Sequence, residues 1–185
     1  IPVSAEENII FPSDAGVIDV TGPPYNAIPD DGKDDAAAIQ QALADHPTNN
    51  HVFYFPAGVY DISDALLRRP DGDRLRNRRA CLELRGSMKR NIFIGQSENR
   101  TVLRLMDSVP AEFDMGVIWF GPAPAQRFRN AVRHLTVSIG TDHPSADGIL
   151  LNASNQGGIR RVTIRTDDPD RAGGTGLDLA HTDEI

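Results

Sequence analysis

The apolar and polar positions of the chain first follow a helical period and then change to the shorter period of strands. Within the segment 35–46, Ile39 and Leu43 lie about one helical turn apart, and the residues between them are small or polar. Asp34 or Asp35 is expected to cap this helix, because a short carboxylate accepts the free amide hydrogens of a first turn. The pattern predicts one amphipathic helix with a single narrow apolar face.

A β-rich pattern takes over after the helix. Residues 52–63 form a run of aromatic and β-branched residues interrupted by a turn at 56–58, and a shorter run at 16–20 precedes the helix. From Cys81 onward, turns separate the short runs CLELRG, NIFIGQ, TVLRLM, VIWFG, AVRHLTVSI, DGILLN, GIRRVTIRT and TGLDLA. No second amphipathic helix follows residue 64, which argues against a doubly wound α/β fold.

The later β runs recur at a nearly constant spacing. The run at 135–137 returns at 162–164 (162 − 135 = 27), and Gly148 returns as Gly176 (176 − 148 = 28). A repeat of this length is the size of one solenoid coil, whose strands lie about 4.8 Å from those of the next coil. We therefore expect 162–164 to stack directly on 135–137. An antiparallel sandwich would need hairpin turns, and no Asn-Gly or Gly-Asn pair lies between adjacent runs.

The helix and the strand after it resemble the opening of pectate-lyase-like right-handed parallel β-helix proteins. That family has an Asp-Gly-x-x-Asp-Asp-x-x-Ala-Ile-Gln-x-Ala helix that caps the coils, followed by a Phe-Pro-x-Gly-x-Tyr strand. The matching residues here are Asp34, Asp35, Ala38, Ile39, Gln40, Ala42, Phe55, Pro56, Gly58 and Tyr60. The chain departs from the pattern at Ala36, where the family usually has Thr, and in an Asp31-Gly32 pair shifted by one residue.

The resemblance implies an all-β fold: a single-stranded right-handed parallel β-helix (solenoid) with an N-terminal capping α-helix. Residues 1–50 would hold the N-terminal segment and capping helix, and residues 51–185 would form the coils. Because no capping turn follows the last run, we expect the coils to continue beyond 185 and the isolated segment to be less stable. Strand alternation in the last two runs predicts that Val162, Ile164, Leu177 and Leu179 face inward. It predicts that Thr163 and Asp178 face water.

Composition narrows the class of protein and its partners. The net charge of −7 argues against nucleic acid as the main partner, and no apolar run is long enough to span a membrane. Cys81 is the one cysteine, and we expect it to be a structural thiol in a core strand. The chain begins at Ile1 without Met, which leaves open the removal of a signal peptide. Together with the resemblance, this leads us to expect a secreted or extracytoplasmic protein of undetermined oligomeric state.

Asp147 is the candidate catalytic residue. The step 147–149 is similar to the Asn-Thr-Asp-Gly-Ile motif of polygalacturonases, in which the Asp is catalytic. That family brings an Asp-Asp pair to the same place on the next coil, whereas this chain has Gly174-Thr175-Gly176 there. A glycosidase needs two carboxylates, so the alternative is that Asp147 is an ordinary turn residue.

Candidate substrate-binding residues are Arg160, Arg161, Arg165 and the outward-facing Asp178. In pectate lyases, an arginine on an outward strand neutralises a uronate carboxylate or removes the proton next to it. The acidic run 167–170 is either a turn or a set of oxygen ligands for calcium. The five histidines include no zinc-type pair, so we predict no cofactor, with calcium as the alternative. Six arginines at 68, 69, 74, 76, 78 and 79 form either a solvated loop or an edge loop that grips an anionic sugar.

These observations support two hypotheses of different classes. The first is a polysaccharide lyase or glycoside hydrolase that acts on an extended, acidic polysaccharide, with this chain as its N-terminal portion. The second is a non-catalytic, glycan-binding β-helix such as a tailspike or adhesin module. Acidic groups or an arginine beside acidic groups on adjacent coils would favour the enzyme, and a groove lined by aromatics alone would favour the binding module. The scarcity of aromatics outside the predicted core favours the enzyme.

Overall fold

The computed structural model describes residues 9–63, 79–84, 89–108, 115–120, 128–151, 156–170 and 174–179. Its elements in chain order are β1 (Val17–Asp19), α1 (Ala36–Asp45), β2 (Val52–Phe55), β3 (Gly58–Ile62), β4 (Arg79–Leu84), β5 (Ile92–Gly95), β6 (Thr101–Leu105), β7 (Met115–Phe120), β8 (Ala131–Ser138), β9 (Asp147–Leu151), β10 (Gly158–Arg165) and β11 (Leu177–Asp178). The predicted single helix and the β runs are present in these ranges.

The strands stack in three columns, and every strand pair in the described ranges is parallel. The first column consists of β1, β2, β5 and the first halves of β8 and β10. The second consists of β3, β6 and the second halves of β8 and β10. The third consists of β4, β7, β9 and β11. β8 and β10 pass from the first column to the second at His134 and Arg161, which both have positive φ (54° and 53°). We use the word coil for three successive strand segments, one from each column.

The predicted register is confirmed. Val162, Thr163 and Ile164 pair with the residues at 135–137 in parallel, one for one. Leu177 pairs with Ile149, which gives the predicted offset of the third column. The parallel pairs exclude the antiparallel sandwich, and the chain is mostly β with parallel sheets.

Inward positions of the first column build an aromatic core. Phe53 and Phe93 are in register on neighbouring coils, and their ring centroids lie 5.7 Å apart. Phe93 also contacts Phe55 and Phe120, at centroid distances of 5.7 and 5.4 Å. All four rings are fully buried. Burial of such side chains contributes roughly 1.5–3 kcal/mol each and holds the columns together.

α1 buries the face that the pattern predicted, including Ile39 and Leu43, and it contacts β4. Its role as a cap of the coils remains a prediction. The first turn of α1 is stabilised by Asp34 rather than by Asp35, the residue directly before the helix. Asp35 precedes the helix but makes no side-chain capping bond; its Oδ1 accepts the Ile28 N–H at 2.7 Å. Asp34 instead accepts the Ala36 N–H at 2.9 Å.

Two buried asparagines link successive coils before the first column. Asn91 Oδ1 accepts the His51 N–H at 2.8 Å, and Asn130 Oδ1 accepts the Asn91 N–H at 2.9 Å. Both side chains are fully buried. Each satisfies a main-chain donor of the neighbouring coil that would otherwise be buried without a partner. This pair of asparagines therefore fixes the coil spacing at that corner.

The last described coil is the least covered. Val162 and Ile164 pack against the core but are only partly buried, and Leu177 and Leu179 are 36% and 38% exposed. Asp178, expected to face water, is half-buried. The arginine-rich stretch lies outside the described residues except for Arg79, whose backbone begins β4. No helix in the described ranges is long and apolar enough to cross a membrane.

Candidate functional site

Asp147 is the first residue of β9, in the third column. Gly116 of β7 lies in register with it on one side, and on the other the Gly148 N–H donates to the Thr175 carbonyl at 2.9 Å. Asp147 is 5% exposed. It is therefore a nearly buried strand residue rather than an exposed turn residue, and its role in catalysis remains a prediction.

The neighbouring coils place no second carboxylate at the register of Asp147. Gly116 has no side chain, and the matching segment of the next coil is Gly174-Thr175-Gly176. A Cβ at Gly174 would lie 1.9 Å from the carbonyl oxygen of Ala146, so backbone contact excludes an acid at that position. The described positions in register with Asp147 on the two neighbouring strands therefore do not supply the second carboxylate that a glycosidase requires.

Asp178 lies in the same column but farther along the strands. It pairs with Leu150, which pairs with Trp119 on the coil before. Leu150 is three residues beyond Asp147, which corresponds to about 10 Å along the strand direction. Trp119 and Leu150 form a small hydrophobic cluster, separate from the main core, in this part of the column. The structure thus does not bring Asp147 and Asp178 together.

A ladder of polar residues runs along the second column, formed by Asp61, Arg104, Ser138 and Arg165, which lie in register on four successive coils. We call this set the charged ladder. Arg104 donates two hydrogen bonds to Asp61, from Nε to Oδ1 at 2.7 Å and from Nη2 to Oδ2 at 2.9 Å. This bonding raises the pKa of Arg104. The Asp61 side chain is 6% exposed, whereas 44% of the Arg104 side chain reaches solvent.

Asp167 contacts Ser138 and Arg165, the last two residues of the charged ladder. Ser138 Oγ donates to its Oδ2 at 2.5 Å, and Arg165 Nε lies 3.2 Å from its Oδ1. The Arg165 side chain is 52% exposed. Two arginines, each beside a carboxylate, therefore present guanidinium surface to solvent along one line across the coils.

The other acids near this column bind main-chain N–H groups of adjacent coils. Asp107 Oδ1 accepts the Thr141 N–H at 3.0 Å, and hydrogen bonds from Thr141 hold the pKa of Asp107 below its ordinary value. Asp168 Oδ2 accepts the Asp142 N–H at 3.1 Å, and its Oδ1 accepts the Asp170 N–H at 2.7 Å. Within the described ranges, no three His, Cys, Asp or Glu side chains form a group that could hold a metal ion.

The predicted substrate-binding residues are distributed over all three columns. Arg160 is exposed in the first column, in register with Arg133; Arg161 forms the corner; and Arg165 and Asp178 lie in the second and third columns. The sequence reasoning missed Asp61, Arg104 and Arg133. Arg133 could have been found, because it precedes Arg160 by the same 27 residues that relate 135 to 162. Asp61 and Arg104 belong to earlier coils of different length.

A family model described as "Rhamnogalacturonase A/epimerase, pectate lyase-like" matches residues 23–183. Curated proteins include no match to this chain. Among solved structures, the mannuronan C-5 epimerase AlgE6 A-module of Azotobacter vinelandii is similar at 22% identity and a TM-score of 0.57. The comparison covers 82% of this chain and 40% of that one.

ORF18 of Geobacillus virus E2 is similar at 15% identity and a TM-score of 0.56, over 77% of this chain and 24% of that one. The chain therefore spans less than half the length of each of these two structures. At such identities the similarity to these two structures concerns the fold alone.

Proposed function

Because the chain belongs to the rhamnogalacturonase A/epimerase, pectate lyase-like family, we propose that it is part of a secreted, carbohydrate-active enzyme that acts on an acidic polysaccharide. We further propose that its strands wind as a right-handed solenoid with α1 across the first coil. A solenoid of this kind presents long outer faces, which suit an extended polymer better than a small molecule.

The charged ladder is the observation that supports this proposal. Arg104 lies beside Asp61 of the neighbouring strand, and Arg165 lies beside Asp167, two residues farther along the chain. None of the exposed large hydrophobic residues in the described ranges is aromatic. Guanidinium groups bind carboxylates through paired hydrogen bonds, which uronic acids can accept and neutral glucans cannot.

The register positions beside Asp147 carry no acid, and this favours one type of chemistry. Hydrolysis of a glycosidic bond uses two carboxylates, whereas removal of the C5 proton of a uronate needs one base and a cation that neutralises the adjacent carboxylate. After the proton has moved to the base, the glycosidic oxygen leaves C4 and takes a proton from water, which gives a C4–C5 double bond. Inversion at C5 instead requires a water molecule or a second group to deliver a proton to the face opposite the base. Asp147 is our candidate base, and a lyase or a C5 epimerase is favoured over a hydrolase.

Activity on polyuronates and on neutral glucans tests the proposal. The protein is expected to convert polyuronate into unsaturated or C5-inverted products, and Asp147→Asn should lose at least about 100-fold in rate, the usual contribution of a general base. Asp14→Asn, which removes an exposed carboxylate outside all three columns, is the control and should retain full rate. Equal turnover of glucan and polyuronate, or full activity of Asp147→Asn, would contradict the proposal.

A glycan-binding module without catalysis is the second candidate. The 5% exposure of Asp147 favours it, because a catalytic base must reach its substrate. Binding of polyuronate without any chemical change after long incubation, in the protein and in Asp147→Asn alike, would establish this candidate instead.

A further inference from the structure

Arg133 and Arg160 form a stacked pair of arginines in the first column, on a different column from Asp147. They are in register on β8 and β10, so their Cα atoms are about 4.8 Å apart. Both side chains are exposed, and neither makes a hydrogen bond or ion pair with another described residue. The register positions before them hold the apolar Ile94 and Tyr54, so this part of the column brings no acid against the pair.

Like charges directly opposite one another on neighbouring strands are unfavourable. In the second column, by contrast, a carboxylate neutralises each arginine. Arg104 and Arg165 each have a carboxylate oxygen within 3.2 Å. The carboxylate of Glu98 accepts a hydrogen bond from Thr163 of the second column rather than from either arginine. Arg133 and Arg160 are thus two adjacent cations without a counter-ion among the described residues.

Open space adjoins the pair. Two residues before the arginines, Ala131 and Gly158 are also in register, and both are small. A Cβ built on Gly158 would meet no atom within 4 Å. Open space therefore lies beside Arg160 at Gly158, whereas Ala131 is buried below the surface.

We propose that Arg133 and Arg160 bind one carboxylate of an acidic polysaccharide between them and so hold the polymer on the first column. The guanidinium groups donate to the two carboxylate oxygens, one from each strand, and the sugar ring lies beside Gly158, where a Cβ would meet no atom within 4 Å. The identity of the polymer rests on the proposed function, whereas the anion site itself rests on the geometry of the pair. This site would hold substrate at a distance from the column that carries Asp147.

Titration calorimetry with an oligogalacturonate and with its carboxyl-reduced, neutral counterpart tests the proposal. The variants are Arg133→Gln, Arg160→Gln and the double variant. Arg129→Gln is the matched control, because Arg129 is also exposed, lies beside β8 and loses the same charge. All three positions are exposed, so equal unfolding midpoints are expected and would show that the four variants fold.

Each single variant should bind the oligogalacturonate about tenfold more weakly, the usual effect of losing a hydrogen bond to a charged group. The double variant should lose less than the product of the two single losses, because both arginines bind the same carboxylate. Arg129→Gln should bind as the wild type does, and the neutral oligosaccharide should distinguish none of the proteins.

Unchanged affinity of both single variants would overturn the proposal, and so would an equal loss in Arg129→Gln, which would indicate diffuse electrostatic attraction. Binding of a single-stranded DNA oligonucleotide as tight as that of the oligogalacturonate would overturn the assignment to sugar carboxylates. If the variants bind weakly while the wild type binds but never turns over polyuronate, the anion site stands and the enzymatic function fails. If the variants turn over polyuronate with the same KM as the wild type, the enzymatic function stands and the anion site fails.

Discussion

Asp35 provides a test of the structure that depends on pH. Its carboxyl group lies before α1 and is 6% exposed. Oδ1 accepts the Ile28 N–H, while Oδ2 has no hydrogen-bond partner among the described residues. Burial, together with the nearby Asp31, Asp61 and Asp34, raises the pKa of Asp35 from 3.8 to about 6. The proposed change is Asp35→Asn, which keeps an oxygen for the Ile28 N–H and removes the titrating group.

The sign of the effect follows from the direction of the shift. Because the pKa of Asp35 is higher in the folded protein than in the unfolded chain, folding favours the neutral carboxyl group. Its contribution to stability is fully present below about pH 4 and is lost as the pH rises through about 6. A shift of about two pKa units corresponds to roughly 3 kcal/mol. Asp35→Asn should therefore match the wild type at pH 4 and exceed its free energy of unfolding by about 2–3 kcal/mol at pH 7.

Urea titrations at pH 4, 5, 6 and 7 measure this difference, with the fluorescence of the single tryptophan, the buried Trp119, as the signal. Subtracting the wild-type curve from that of the variant removes the contribution of all other titrating groups. Asp14→Asn, at an exposed position, is the control and should track the wild type throughout. A stability difference that stays constant with pH, or an Asp35→Asn protein less stable than wild type at pH 7, would refute the assigned environment.

Four further substitutions test the packing and polar contacts. Leu43→Ala removes a buried side chain of α1 and should cost roughly 2–4 kcal/mol in a denaturant titration, and a loss under about 0.5 kcal/mol would show the helix to be peripheral. Asn130→Ala leaves a buried main-chain N–H without its acceptor and should cost about 1–3 kcal/mol by the same measurement. Arg104→Gln deprives the buried Asp61 of a two-bond partner and should cost about 1.5–3 kcal/mol, whereas Arg165→Gln breaks an exposed pair and should cost under about 1 kcal/mol. Equal costs for the two arginine variants would contradict the difference in burial.

The sequence predicted the fold well where the repeat is regular. The spacing between 135–137 and 162–164 identified the parallel register, because coils of equal length repeat their strands at a constant offset. The burial of Ile39 and Leu43 followed from helical periodicity. Helical periodicity did not predict which acid stabilises the first turn. Either Asp34 or Asp35 could serve as a cap by composition, and only the tertiary contact of Asp35 with Ile28 separates their roles.

The candidate site was less predictable, because its residues come from coils of unequal length. Asp61 and Arg104 are 43 residues apart in sequence but adjacent in register, whereas Arg133 and Arg160 are 27 apart. A repeat found in the later coils therefore points to Arg133 but cannot align Asp61 with Arg104. Sequence spacing did predict that Asp147 lacks a partner acid at 174–176, and the contact between Gly174 and Ala146 supplies the physical reason.

Incubation of the protein with polyuronate in heavy water tests the proposed chemistry most directly. Proton NMR of the product reports whether C5 has lost its original hydrogen, which both elimination and epimerisation require and hydrolysis does not. The account predicts loss of the C5 proton signal, as an unsaturated terminus or as replacement by deuterium, and a much smaller loss with Asp147→Asn. New reducing ends with every C5 proton retained, or an unchanged polymer, would contradict it.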